Sequence, residues 1–190
     1  MPSIISGKRR GAKLLVPEGL GVRPTLARVR EALFSMLTSE LGTFVGCRVL
    51  DPFAGAGMLG LEAWSRGAAH VDLIEMNRAH FAILNKNVAT LKAQNEVRTI
   101  LGQTPKCWNL LGHSVYDLVV CDPPYHEGLM PETLRTLLER DMIRPSSVVT
   151  VELEAGDSIE MPEELEVFKE RVYGKCQILC VRRRVAREAT

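Results

Sequence analysis

The sequence lacks any apolar run approaching the roughly 20 residues needed to span a bilayer, which argues against an integral membrane protein. Its first residues, Met1-Pro2-Ser3-Ile4-Ile5-Ser6-Gly7-Lys8, lack the charged, then apolar, then small-residue order of a signal peptide. Five cysteines, Cys47, Cys107, Cys121, Cys176 and Cys180, are odd in number and contain no Cys-x-x-Cys pair. A disulfide framework or zinc site is therefore not expected, nor any other metal centre. Cys176 and Cys180 could share one face of a strand, although buried thiols are the commoner case. Repeats and low-complexity stretches are missing as well, which excludes solenoid architectures. These absences together point to a cytoplasmic protein with no membrane partner.

What is present is an ordinary globular composition, 46% hydrophobic and 25% charged over 190 residues, enough for one well-buried domain and a small appendage. The net charge of +1 conceals an asymmetry. Residues 1–30 hold seven Lys or Arg against Glu18 alone, a local charge of +6, so the remainder carries −5. Arg182, Arg183, Arg184 and Arg187 form a second basic cluster, while residues 152–170 hold eight acids and only Lys169. A basic end on a near-neutral body is the electrostatic footprint of a polyanion-binding surface; the bland alternative is a solvated tail.

Ile4-Ile5-Ser6 and Ala12-Lys13-Leu14-Leu15-Val16 read as short strands of a hairpin with a basic tip. A linker follows from Pro17 to Pro24. Thr25 can cap a helix whose Leu26, Val29, Leu33, Phe34 and Leu37 share one face, with Arg28 and Arg30 expected off that stripe on a basic outer surface. From Cys47 the pattern alternates. Strand-like runs at 47–51, 70–75, 97–101, 116–121 and 147–153 are separated by helical segments near 58–66, 78–93, 104–111 and 131–140, the second behind a possible cap at Asn77. Two further runs, 165–173 and 176–184, read as a hairpin. The expectation is a doubly wound, Rossmann-like α/β domain: a mostly parallel seven-stranded sheet, an antiparallel C-terminal hairpin, and a small N-terminal hairpin-and-helix extension. Residues 1–40 would be the extension and 41–190 the main domain.

The chemistry gathers at strand ends. Asp122-Pro123-Pro124-Tyr125 follows the apolar run Leu118-Val119-Val120-Cys121. Two prolines make a rigid turn with fixed carbonyl directions, so Asp122 and the Pro123 carbonyl can both accept from one planar NH2 group, and Tyr125 offers a face for stacking a base. A plain strand-ending turn is the alternative. After the first strand comes Asp51-Pro52-Phe53-Ala54-Gly55-Ala56-Gly57-Met58-Leu59-Gly60, in which Gly55 and Gly57 permit a tight turn and close approach of a ligand. The second strand ends in Glu75, about 20 residues on, where an acid can accept both ribose hydroxyls or simply cap the next helix. An acid at Asp51 suits a cationic ligand better than a phosphate.

These motifs resemble those of class I S-adenosylmethionine-dependent amino-methyltransferases. More narrowly, Ser6-Gly7-Lys8-Arg9-Arg10-Gly11, Arg23-Pro24-Thr25-Leu26-Ala27-Arg28-Val29-Arg30-Glu31-Ala32-Leu33-Phe34 and Gly60-Leu61-Glu62-Ala63 are similar to the bacterial small-subunit ribosomal RNA guanine-N2 methyltransferases, a likeness running from about residue 3 to 184. The resemblance implies S-adenosylmethionine as cofactor, held by Asp51, Phe53, Ala54, Gly55 and Gly57 and by Glu75, Met76 and Asp122. Gln103 stands where relatives often carry an acid for the adenine amine. It implies catalysis at Asp122, Pro123, Pro124 and Tyr125, and RNA contacts from Lys8, Arg9, Arg10, Arg23, Arg28 and Arg30. The partner would be ribosomal RNA within a small subunit or an assembly intermediate. Three rivals stay open at this point: a DNA adenine-N6 methyltransferase, a protein glutamine methyltransferase, and a non-catalytic RNA-binding assembly factor on the same scaffold.

Overall fold

A strand covered on both faces must be apolar almost throughout, and the central strands are. Val49 and Leu50, Leu118, Val119 and Val120, and Val149 and Val151 have no exposed surface. In the computed structural model, which describes residues 1–17, 24–124 and 128–185 (backbone only for 24–26), they build one seven-stranded sheet. Its strands are β1 (Arg48–Asp51), β2 (His70–Glu75), β3 (Val97–Leu101), β4 (Tyr116–Cys121), β5 (Ile143–Glu154), β6 (Leu165–Tyr173) and β7 (Cys176–Arg183), in the order β3-β2-β1-β4-β5-β7-β6. The pairs from β3 across to β5 are parallel, whereas β7 runs antiparallel between β5 and β6. The helices are α1 (Pro24–Leu41), α2 (Met58–Ser65), α3 (Arg78–Leu91) and α4 (Leu129–Glu139). Strand order reverses between β1 and β4, so the crevice beyond their carboxyl ends is where an open α/β sheet binds its ligand.

Two cores flank the sheet. One gathers Leu61 and Trp64 of α2, Leu84 and Val88 of α3, and Val29, Leu33, Phe34 and Leu37 of α1. The other joins Met130, Leu134 and Leu137 of α4 to Trp108 and Leu111. Asn77 caps α3 through its side-chain oxygen, which accepts from the amides of Ala79 and His80, at the position the sequence predicts.

Two expected elements differ. The helix near 104–111 is a short 3-10 turn, Trp108–Leu111. β5 begins four residues before the expected 147: Ser147 closes an irregularity in its pairing with β4, its hydroxyl accepting from the Arg144 amide and donating to the Tyr116 carbonyl. The N-terminal hairpin forms, though short: Ser3 bridges Lys13 antiparallel, and the amides of Ile4, Gly11 and Leu14 donate to the carbonyls of Ala12, Ile4 and Pro2. The expected Pro17–Pro24 linker falls largely outside the described residues.

Beyond that pairing, the segment is anchored to α2. The Glu62 carboxylate, fully buried on α2, accepts from the amides of Ile5 at 2.7 Å and Ser6 at 3.0 Å, and from Arg66 Nε at 2.8 Å. The Ser65 carbonyl accepts from the Lys8 amide, and the Ser65 hydroxyl donates to the Ser6 carbonyl. Ile4 and Leu14 are thereby sealed into the core at 2% and 1% exposure. Gly7, at φ +83°, lies so close to α2 that a Cβ would sit 1.9 Å from the Ser65 carbonyl oxygen.

Glu62→Ala, which strands two partly buried amides and a guanidinium, is expected to cost about 3 kcal/mol in denaturant unfolding. Gly7→Ala should free the segment from α2, read as new limited-proteolysis cleavage before residue 17 with the rest of the chain intact.

Candidate active site

β1 delivers Asp51 into a buried position at the switch point. Its Oδ2 accepts from the Gly60 amide at 3.0 Å, which anchors the first turn of α2 beneath the glycine loop. Gly57, left-handed at φ 86°, starts α2. Gly55, at φ +53°, has nothing within 4 Å of where a Cβ would lie, so the backbone borders open space. Gly60, whose role the sequence reading missed, is where α2 meets the sheet: a Cβ there would come within 2.2 Å of Leu73. The spacing Gly55-x-Gly57-x-x-Gly60 carried that signal.

β2 ends in Glu75, only 8% exposed. Its two oxygens accept from the Gly55 amide at 2.8 Å and the Asn77 amide at 2.6 Å. The carboxylate is thus fixed in direction, and each oxygen keeps a further lone pair for a ligand hydroxyl. Helix capping and ligand binding are compatible here, because the Asn77 side chain does the capping itself.

Two cavities meet over these strand ends. The smaller, about 240 Å³, is lined by Glu75, Met76, Gln103, Thr104, Asp122 and Pro124 among others. The larger, about 470 Å³, is lined by Asp51, Ala54, Gly55, Asp122 and Glu152 on the sheet side and by Met1, Pro2, Ser3, Arg30 and Glu31 of the N-terminal segment and α1. Phe53, His80 and Asp122 line both. Asp122 is open to the cavities yet crowded by protein on its other sides, while Pro123 behind it is buried.

Burial and mutual repulsion shape the electrostatics. Asp51 is pushed up to about 7, chiefly by burial and then by Glu75, against the pull of the Gly60 and Phe53 amides. Asp122 is pushed up to about 8 by its crowded setting and by the neighbouring Glu152 and Asp51. Glu152, on β5, lies near the Cys176 thiol of β7, which burial and that carboxylate raise. Three acids crowding one recess make it attractive to a cation.

Of the residues named from the sequence, Asp51, Phe53, Ala54, Gly55, Glu75, Met76, Gln103, Asp122 and Pro124 border these cavities, and Gly57 and Pro123 lie directly behind them. Tyr125 and Arg23 lie outside the described residues. Arg9, Arg10 and Arg28 are exposed. Lys8 is engaged by its own protein, 3.3 Å from Glu96 and 4.2 Å above the Trp64 ring. Arg30 is not on the outer surface: it is 8% exposed, and its guanidinium donates to the Ser3 carbonyl at 2.6 Å. The helical spacing explains the difference, since Arg30 falls one turn before Phe34, on the apolar face rather than beside it. His80 and Glu152 were also missed; neither belongs to a local motif.

The family model described as Conserved hypothetical protein 95 matches residues 3–182. The chain belongs to that family. It is 39% identical over 173 residues to Ribosomal RNA small subunit methyltransferase D of Escherichia coli, covering 90% of this chain and 85% of the relative. It is 34% identical over 174 residues to the protein of the same name from Buchnera aphidicola, covering 92% and 89%. Among solved structures, the candidate methyltransferase yhhF of Escherichia coli is similar with a TM-score of 0.82 and 37% identity, over 96% of this chain and 97% of that one. The family, the fold and these relatives are those of methyltransferases.

The raised carboxyls give a testable sign. Both Asp51 and Asp122 hold part of a proton at neutral pH, and a bound cation favours their ionised forms. Binding of S-adenosylmethionine at about pH 7 should therefore release protons, with release vanishing above about pH 9 where both are already ionised. Calorimetry in buffers of different ionisation enthalpy measures this, and Asp122→Asn should reduce the release.

Proposed function

We propose that this protein transfers a methyl group from S-adenosylmethionine to the exocyclic N2 of a guanine in small-subunit ribosomal RNA. The observation that carries the reading is Asp122, leading a Pro-Pro turn at the switch point and open to the same cavity as the glycine loop. The named relatives, which are ribosomal RNA small subunit methyltransferases, support the RNA class.

The residues fit the cofactor. The open space at Gly55 admits a ligand against the backbone, Glu75 presents oriented acceptors for a ribose, and Met76 and Gln103 border the cavity where an adenine would lie. The acids at Asp51, Asp122 and Glu152 favour a positive ligand. The bound cofactor would supply an activated methyl on sulfur.

The protein's own work is then positioning and proton transfer. A guanine amine is a poor nucleophile because its lone pair is drawn into the ring. Asp122 and the Pro123 carbonyl accept hydrogen bonds from that NH2, holding the nitrogen with its lone pair toward the methyl, and alignment provides most of the acceleration. Tyr125 stacks on a base that has left its helix. Beside a positive charge Asp122 is ionised and accepts. Methyl transfer would move the positive charge from sulfur to the amine nitrogen, and Asp122, whose proton affinity its crowded setting and the repulsion from Glu152 and Asp51 raise, would take the N–H proton and leave a neutral methylamine. Residues 1–40 serve as the RNA-contacting extension, with Arg9, Arg10, Arg23 and Arg28 reading phosphates and shape.

Labelled methyl transfer to small subunits from cells lacking the enzyme, to naked ribosomal RNA and to DNA, followed by nucleoside analysis, is expected to yield N2-methylguanosine from the ribosomal arms alone. N6-methyladenine would overturn the choice of base. Asp122→Ala should lower transfer by at least about 100-fold while cofactor affinity changes only a few-fold; equal loss of both would make Asp122 structural. Arg9→Glu combined with Arg10→Glu should weaken RNA binding and reduce its salt slope by about two.

A further inference from the structure

We propose that Glu152 is a base-specificity residue, which accepts the N1–H of the guanine whose N2 amine is held by Asp122 and the Pro123 carbonyl. The inference rests on the guanine reading above and deepens it by naming what tells that base from adenine.

The first observation is position. β4 and β5 pair in parallel register as far as Cys121 and Val151, so the next residues along, Asp122 and Glu152, stand side by side just past the end of β4. Neighbouring strands lie about 4.8 Å apart. Val149, Val151 and Leu153 enter the core beneath α4, and alternation along β5 sends Glu152 to the opposite face, where it lines the larger cavity with Asp122. Among the charged groups acting on Asp122, Glu152 comes ahead of Asp51. The order of strands then gives the cavities a direction. Glu75 borders the smaller cavity and Glu152 the larger, while Asp122 borders both. Since β2, β1, β4 and β5 are adjacent in that order, a ribose at Glu75 puts the cofactor's nucleoside on one side of Asp122 and leaves Glu152 on the other. A methyl acceptor held at Asp122, facing the donor, therefore lies toward Glu152.

The second observation is a count of donors. The edge of guanine carries the N2 amine and N1–H next to each other, and all three hydrogens are donors. Asp122 and the Pro123 carbonyl take the two on N2, so the Asp-Pro-Pro turn leaves N1–H without an acceptor, a costly state for a base taken out of water. In adenine the atom beside the amine is a bare N1, an acceptor. The turn senses only an NH2 group and cannot separate the two bases. A carboxylate one strand away separates them twice over, by satisfying N1–H and by repelling a bare N1 lone pair. Glu152 also interacts within its own protein, and a carboxylate with about four acceptor sites accommodates N1–H as well.

The test compares transfer to two bases that share the reacting amine. The guanine that accepts label in small-subunit RNA is mapped, and subunits are reconstituted with guanine or 2-aminopurine at that position; 2-aminopurine keeps the amine on C2 but has a bare N1. Wild-type protein is expected to favour guanine in kcat/KM by about 10- to 100-fold, the range for one hydrogen bond to a charged group. Glu152→Ala and Glu152→Gln should each bring that ratio below about fivefold while S-adenosylhomocysteine affinity stays within a few-fold of wild type. Glu152→Gln, whose amide can turn either its oxygen or its nitrogen toward N1, is the deciding variant if Glu152→Ala does not fold, judged by its melting curve. If Glu152 acts only by repelling the charge of Asp122, its removal moves the pH profile alike for both bases and leaves their ratio unchanged, which would overturn the proposal. A matching loss of cofactor affinity would assign Glu152 to the cofactor and overturn it too. Absence of N2-methylguanosine from wild-type protein would instead sink the guanine reading itself, and this inference with it.

Discussion

The buried carboxylate of Glu62 is the constraint on which the site's upper wall depends. A carboxylate taken fully out of water is tolerated only when hydrogen bonds and an opposite charge replace its hydration. Here two consecutive backbone amides and Arg66 do so. The consequence reaches beyond α2. Because Ile5 and Ser6 are fixed, Met1, Pro2 and Ser3 run over the crevice at the switch point, and the Ser3 carbonyl meets Arg30. The segment that the sequence suggests as an RNA-facing hairpin is thus also a wall of the cavity, and its inner and outer surfaces have different chemistry. Arg9 and Arg10 face solvent, whereas Ile4 and Leu14 face the core.

Charge organises the floor in the same way that burial organises the wall. Asp51 is held by two amides of the loop it precedes, so it shapes that loop as well as repelling its acidic neighbours. Glu75 is held by two others and ties β2 to the glycine turn. The loop conformation and the acceptor direction are therefore one structure, set before any ligand arrives, and binding need not reorganise them. Asp122 differs: the Pro-Pro turn fixes its backbone, its carboxyl opens on both cavities, and its proton affinity follows the charge of whatever lies beside it.

Local pattern was enough to read the parallel half of the fold. The strand-like runs at 70–75, 97–101 and 116–121 coincide with β2, β3 and β4; β2 and β4 are buried on both faces and so nearly forced in composition, whereas β3, at the sheet edge, is only partly buried. The start of β5 was hidden because Arg144, Pro145 and Ser146 are exposed and interrupt the run, with Ser147 repairing the ladder from its side chain. The N-terminal hairpin was legible as a strand pair, but its anchorage was not: the Ile5 and Ser6 amides pair with Glu62, 57 and 56 positions away, which no neighbouring residue announces. The cavity-facing acids at strand ends were legible because open sheets bind there. Arg30 was not, although its register with Phe34 placed it on the apolar face; a charged residue is read as exposed by default, and that default hides a buried arginine at a site.

The position of β7 has a consequence in time. It forms late in the chain yet lies inside the sheet, hydrogen-bonded to β5 on one side and β6 on the other. While the chain is being made, at about 5–20 residues per second, β5 waits with a bare edge until residues 176–183 leave the ribosome. The Cys176 thiol, which lies near Glu152, arrives with that same strand. A nascent chain can lay down its glycine loop, Glu75 and Asp122 early, but the wall behind them is completed from the other end. Completion of that wall then waits on β7, and a translation product interrupted before residue 176 carries an open strand edge at β5.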